Sequence, residues 1–334
     1  MKIKDEHSTV SQVLDAARGW NEAHAPYDRI TKLPFYQIIA TGVSLEQREV
    51  ALQPLAGEPG AELKTFTLQP HAQGQLLARL EYPSRLLAKL PERLNLMNLN
   101  WLNQNNAEKD CQFRVIDGDQ IRALVSNRYE PFDHLELLEM IEPYCADSVV
   151  RREFWDDQTF HLSITFPKSA TAIKVGDIVE KGIHISNSEV GMRSVTILGY
   201  VFRLKCTNGA ISGGDGGGAR FRHLGNGDRI HQGVQAAIQE VMLTNESIIA
   251  NFKRALLSEI DKPIEYLERL AKKESLTQEA FKSILDSYME ERSTGEGDNL
   301  YTVSQAISRS ANKVEGDEAY DLQRLSVKAL TMPV

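Results

Sequence analysis

Between residues 193 and 206 side chains alternate in character. Ser194, Thr196, Leu198, Tyr200, Phe202, Leu204 and Cys206 fall on one side, and Arg193, Val195, Ile197, Gly199, Val201, Arg203 and Lys205 on the other. A period of two is that of a strand, so 182–206 reads as a β-hairpin. The side carrying Tyr200 and Phe202 is expected to meet a core. The opposite side, with cations at both ends and a gap at Gly199, is expected to be an open platform. Asn208-Gly209 closes the segment with turn residues, and Gly209 is expected at positive φ.

The same reading finds two more hairpins. One spans 111–127 around Asp117-Gly118, and the other spans 148–167 with Asp156-Asp157 near its turn. Short strands are expected near 35–40, 49–55 and 63–68. Helical spacing marks 8–22, with Ser8 as its cap, and 134–144. Residues 70–102 are helical but cut by Pro83 and Pro91. Their cations Arg79, Arg85, Lys89 and Arg93 read as a solvated helix face. A long apolar stripe including Val234, Ile238, Ile248 and Phe252 predicts a helix over 231–260, roughly 45 Å at 1.5 Å per residue. Shorter helices are expected at 263–273, 277–291, 301–314 and 317–330, with a flexible break at 293–299.

These elements predict an α+β fold: a curved antiparallel sheet of β-hairpins with flanking helices and a mostly helical C-terminal third. The expected division is a mixed core over 1–230 and a helical region over 231–334. The long stripe asks for more partner surface than one sheet provides, so a homo-oligomer is expected.

Composition narrows the classes. No apolar run approaches the ~18 residues of a membrane span, and no apolar leader opens the chain. The three cysteines, Cys111, Cys145 and Cys206, form neither a disulfide framework nor a zinc pattern. A cytoplasmic location without membrane contact is the expectation. No nucleophile-elbow spacing frames Ser126, Cys206, His134 or His184. No cluster has metal-ligand spacing, and the glycines of 213–218 lack the Lys-Ser/Thr of a P-loop. The expectation is a non-enzymatic protein with no cofactor and no metal.

The net charge of −8 counts against non-specific nucleic-acid binding unless cations are concentrated locally. They are concentrated between Arg193 and Arg229, where Arg193, Arg203, Lys205, Arg220, Arg222 and Arg229 are interrupted only by Asp215 and Asp228. Phe221 and His223 interleave with the arginines in a glycine-rich stretch that reads as a mobile loop. Cations with stackable rings suit a single strand, because phosphates are anionic and bases are flat. Arginines paired with acidic neighbours would give the same pattern. Arg122, Arg128 and Tyr129 form a second cluster, which buried arginines holding a turn would also explain.

QIRALVSNRYEPFDHLELLE (120–139), GDIVEKGIHISNSEVGMRSV (176–195) and RLKCTNGAI (203–211), with a weaker echo in LQPHAQGQLLARLEYPSRLLAKLP (68–91), resemble the phage/plasmid-like proteins of the domain-of-unknown-function 932 family. The family's arginine–histidine run is present as ARFRHLGNG, here preceded by GGDGGG. The resemblance implies work on mobile-element DNA, in recombination, replication or anti-defence. The reading that follows is single-stranded-DNA binding and annealing. Its alternative is a protein that sequesters a host protein or signalling molecule.

Overall fold

The computed structural model describes residues 9–24, 28–41, 49–55, 64–105, 110–212, 218–225, 227–295 and 297–332. The chain is α+β, with two curled sheets and a mostly helical C-terminal third. The first sheet holds β1 (Arg29–Lys32), β2 (Tyr36–Thr41), β3 (Glu49–Pro54), β4 (Phe66–Leu68), β5 (Asp110–Ile116) and β6 (Gln120–Ser126). Its order is β1-β5-β6-β4-β3-β2, antiparallel except for the parallel pair β4·β6. Leu33, Phe66, Leu76, Leu99 and Phe113 fill its core beneath α2 (Pro70–Arg79) and α4 (Glu92–Asn105), with the short α3 (Arg85–Lys89) between them. Asp117 and Gly118 both take positive φ, 53° and 80°, the geometry of a tight hairpin turn.

The second sheet contains β7 (Val149–Trp155), β8 (Phe160–Thr165), β9 (Thr171–Lys174), β10 (Asp177–Asn187), β11 (Val195–Arg203), β12 (Asn208–Ile211) and β13 (Gly218–Phe221). Its order is β12-β11-β10-β8-β7, with β13 also on β11 and β9 on β10. The hairpins over 148–167 and 182–206 are present. β12 and β13 pair with β11 one after the other: Ile211 faces Tyr200, and Gly218 faces Leu198. Between them the Ser212 amide donates to the Gly199 carbonyl at 2.8 Å, and Ser212 Oγ accepts from Gly199 N at 2.9 Å. The expected mobile loop is therefore a strand over 218–221. Residues 213–217 lie outside the described residues.

The expectation that only one face of β11 meets a core is corrected. Every residue of β11 is buried. Val195 and Ile197 pack with α1 (Val10–His24), α5 (His134–Ile141) and the first half of α6 (Gly227–Leu256). On the other face Leu198, Tyr200 and Phe202 pack with Tyr320 of α10 (Gly316–Ala329). The gap at Gly199 is filled from α6. A Cβ there would come within 2.5 Å of Asn245 Oδ1, and Asn245 Nδ2 donates to the Gly182 carbonyl at 2.7 Å.

Helix α6 packs both halves of its stripe inside the chain. Val234, Ile238 and Val241 join the core with α1 and α5. Ile248, Ile249 and Phe252 join a second core with α7 (Pro263–Lys273), α8 (Gln278–Ser293), α9 (Leu300–Ser310) and α10. Two consecutive cores thus meet along α6, and the division expected at residue 230 falls inside it.

Local caps explain several boundaries. Thr9 Oγ1 accepts from Gln12 N while Gln12 Oε1 accepts from Thr9 N, a reciprocal cap for α1. Ser8 lies outside the described residues. Thr277 caps α8, its hydroxyl accepting from the Ala280 amide. Asn299 caps α9, and Asp298 accepts from Tyr288 Oη at 2.5 Å, so the end of the expected break is built into the fold. Gly209 has no positive φ. Thr207 holds the left-handed position at 52°, and Gly209 is required because a Cβ would lie 2.3 Å from Tyr200 Oη.

Candidate nucleic-acid interface

The eleven residues singled out by charge and ring content separate into two populations. Arg122, Tyr129, Arg203 and His223 are buried. Arg193 and Phe221 are half-buried, and Arg128, Lys205, Arg220, Arg222 and Arg229 are exposed.

Arg203 is 1% exposed and serves the interior. Its Nε donates to Asp177 Oδ1 at 2.7 Å and its Nη1 to Glu291 Oε2 at 2.9 Å. Tyr301 Oη donates to Asp177 Oδ2 at 2.8 Å, and Arg309 Nε to Glu291 Oε1 at 2.7 Å. The cluster ties the hairpin to α8 and α9. Arg193 donates to Asp317 Oδ1 at 2.6 Å, beside His161 Nε2 at 2.7 Å from the same oxygen. The reading that some of these arginines pair with acids is the one the geometry supports.

Arg122 belongs to a larger buried junction centred on Glu189, in the turn after β10. Glu189 Oε2 accepts from Arg122 Nη1 at 2.8 Å and from Trp20 Nε1 at 3.0 Å. Its Oε1 accepts from the His134 amide at 2.8 Å. Arg114 lies 4.0 Å from Glu189, pairs with Asp28 at 2.9 Å and closely with Asp133. The junction therefore joins β5 and β6 of the first sheet to α1, α5 and β10 of the second. Asn187 extends it, donating to the Phe132 carbonyl at 2.8 Å, with His134 Nδ1 at 3.1 Å and His223 Nε2 at 3.0 Å. Tyr129 stacks on His223 with ring centroids 4.9 Å apart and donates to the Ser188 carbonyl at 3.0 Å.

Burial sets the charge states here. It penalises the Glu189 carboxylate, but His134 and the guanidinium groups of Arg122 and Arg114 outweigh it and hold Glu189 well below the usual carboxylate range. Burial, then the neighbouring Glu189 charge, pushes Asp133 up to about 6 despite Arg114. Desolvation lowers His134 and His223 to about 4 each, so both imidazoles are neutral at pH 7. Among the described residues no group of three His, Cys, Asp or Glu is arranged to hold a metal ion. Nor is any helix among them long and apolar enough to cross a membrane.

The junction also positions the surface. Tyr129 pairs with Leu224 in an isolated antiparallel bridge, and the Glu130 amide donates to the His223 carbonyl at 3.1 Å. Arg128 precedes that bridge, Arg222 lies two residues before Leu224, Arg220 is on β13, and Arg229 is in the first turn of α6. Arg128, Arg220, Arg222 and Arg229 are thus exposed on the segments joined by or following this bridge, without an ion pair among the described residues. Lys205 lies at the β11–β12 turn, away from them along the strand. Phe221 is turned inward, against α6 at Gly233.

Charge and ring content did not single out Glu189, Asn187, Asp133, His134, Trp20 or Arg114. The signal available was the clustering of EPFDH and NSE within the stretches that carry the family resemblance.

A cavity of about 1000 Å³ opens elsewhere, between α6, the start of α8 and α10. It is lined by Arg254, Arg324 and Lys328 and by an equal number of acids, Glu274, Glu318 and Asp321. None of the eleven residues singled out by charge and ring content lines it.

A family model described as Domain of unknown function (DUF932) matches residues 123–324, more than half of the chain. The match takes in Tyr129, Asp133, His134, Asn187, Glu189, Arg203 and His223, whereas Trp20, Asp28, Arg114 and Arg122 of the Glu189 junction precede it. The chain belongs to the DUF932 family. No curated protein and no solved structure matches it.

Proposed function

We propose that the protein binds single-stranded DNA without catalysing a reaction on it, as part of recombination or replication of a mobile element. The supporting observation is the division of its arginines. Those in the interior are neutralised by buried carboxylates, whereas Arg128, Arg220, Arg222 and Arg229 are exposed on the segments around the Tyr129–Leu224 bridge, with no carboxylate partner among the described residues. In a chain of net charge −8 such a cluster is where phosphates can be met. The buried junction beneath supplies rigidity: it fixes Tyr129 and His223, and through them the backbone that carries Arg128 and Arg222.

The test is fluorescence polarisation with a labelled single strand and a labelled duplex at two salt concentrations. Wild-type protein binds the single strand more tightly. Replacing the four arginines with alanine flattens the slope of log affinity against log salt by about 2.8, at ~0.7 per lost phosphate contact. The folded state is retained, because all four side chains are exposed. Wild-type protein that binds no single strand at low salt overturns the reading in favour of sequestration of a protein or small molecule.

A further inference from the structure

The largest exposed ring lies on α4, which packs against the first sheet. Trp101 of α4 is 65% exposed, Met97 59% and Leu94 41%. The chain has three tryptophans, and the other two, Trp20 and Trp155, are buried. Arg93, Met97 and Trp101 are spaced by four residues and share one face of α4. Arg93 and Trp101 are about 12 Å apart along the axis at 1.5 Å per residue. Arg85 and Lys89 of α3 are exposed at the entry to the same helix. None of these three cations has an ion pair among the described residues.

The platform is rigid. Asn95, 3% exposed, donates to the Leu87 and Leu90 carbonyls at 3.1 Å each and accepts from Tyr82 Oη at 2.5 Å, locking α3 to α4. Asn100 pairs with both the amide and the carbonyl of Ile38 at 2.8 Å, and Asn103 donates to the Leu33 and Tyr36 carbonyls. These bonds fasten α4 along the edge strand β2 and leave its outer face to solvent.

Charge decides between occupants. Beyond Glu92 in its first turn, α4 carries no acid, and its uncharged polar positions are asparagine and glutamine. A strand of phosphates with flat bases complements unpaired cations flanking an exposed indole. A protein partner matched to the apolar stripe alone would leave those cations without a role.

We propose that the Arg85–Lys89–Arg93 and Trp101 face is a second contact for single-stranded nucleic acid, in which a base stacks on Trp101 and the cations meet phosphates. This rests on the nucleic-acid reading above and adds a stacking site to it.

The probe is an unlabelled deoxythymidine oligonucleotide titrated into the full chain at low salt, read by intrinsic tryptophan emission. Trp101 is the only tryptophan in reach of solvent among the three, so quenching reports this face. The expected result is saturable quenching that disappears in Trp101→Ala, with affinity weakened about 5- to 150-fold and the salt slope little changed. Arg85→Ala/Lys89→Ala/Arg93→Ala should flatten the slope by about 2.1. Circular dichroism confirms that these surface variants fold. If the four-arginine variant loses binding while Trp101→Ala binds and salts out like wild type, this inference is overturned and the proposed function stands. If the wild-type chain binds no oligonucleotide, both fall, and the apolar stripe is left to a protein partner.

Discussion

Glu189 offers the sharpest test of how the two sheets are joined. Removing its carboxylate by Glu189→Ala strips Arg122 Nη1 of its acceptor inside a site where Arg122 is 2% exposed. The Nε and Nη2 atoms of Arg122 have no hydrogen-bond partner there, so little remains to offset the buried charge. Breaking a buried pair by deleting one member costs about 3–5 kcal/mol. The Trp20 indole and the His134 amide lose their acceptor as well, at about 1–3 kcal/mol each. The sum, roughly 5–11 kcal/mol, is comparable with the about 5–15 kcal/mol that holds an ordinary protein together. Glu189→Ala is therefore expected to give little soluble folded protein. Glu189→Gln keeps one oxygen for Arg122 and Trp20 but turns an N–H₂ toward the His134 amide, so a loss of about 2–4 kcal/mol is expected. Soluble yield and urea unfolding followed by tryptophan emission measure both. A Glu189→Ala protein that unfolds within about 1 kcal/mol of wild type would falsify the account of the junction.

Three further outcomes are expected. Acid should destabilise the fold: His134 and His223 stay neutral down to about 4, whereas the unfolded chain takes up their protons from about 6.5 downward. Stability is thus full above 6.5 and falls toward pH 4 by up to about 1.4 kcal/mol per pH unit for each histidine. Asp133, raised to about 6 from 3.8, binds its proton first in the folded state and offsets one of the two over that window. Urea midpoints at pH 7 and pH 5 check the net loss, and a midpoint that does not fall contradicts it. Gly209→Ala should cost about 1–3 kcal/mol through the clash with Tyr200 Oη; an unchanged melting temperature shows that the close approach is absent. Phe221→Ala should lower stability by about 1–3 kcal/mol, because the ring packs on α6 at Gly233, and thermal melts that match wild type place the ring in solvent instead.

Local signals in the sequence carried most of the secondary structure. Asp117-Gly118 names its own turn, and the stripe of α6 is visible as a period. What stayed hidden depends on distance along the chain. Arg122 meets Glu189 67 residues away, and Arg203 meets Glu291 88 residues away. An arginine's charge is plain in a sequence, but the carboxylate that neutralises it is not. The face of β11 was misjudged for the same reason: cations at its two ends suggested solvent, whereas α6 and α10 return to cover both sides. Gly209 was recognised as necessary, but its reason lies in a ring on the neighbouring strand. Arg128, Arg220, Arg222 and Arg229 were all among the residues singled out; the Tyr129–Leu224 bridge that joins their segments was not readable from either segment alone.

The pairing along the outer edge of β11 has a consequence for how this chain can change length. Ile211, Ser212 and Gly218 sit opposite Tyr200, Gly199 and Leu198, three successive rungs, although five residues separate the last two in sequence. The rungs that flank residues 213–217 in sequence are thus neighbours in the sheet. A variant lacking residues 213–217 keeps every pair and is expected to melt no lower than wild type; a lower melting temperature contradicts this. Lengthening at the same point to about 20 residues adds only about 1 kcal/mol of loop-closure cost. The edge behaves as a spliced strand, a port where a tag, a probe or a foreign segment can be carried while the sheet beneath it stays in register.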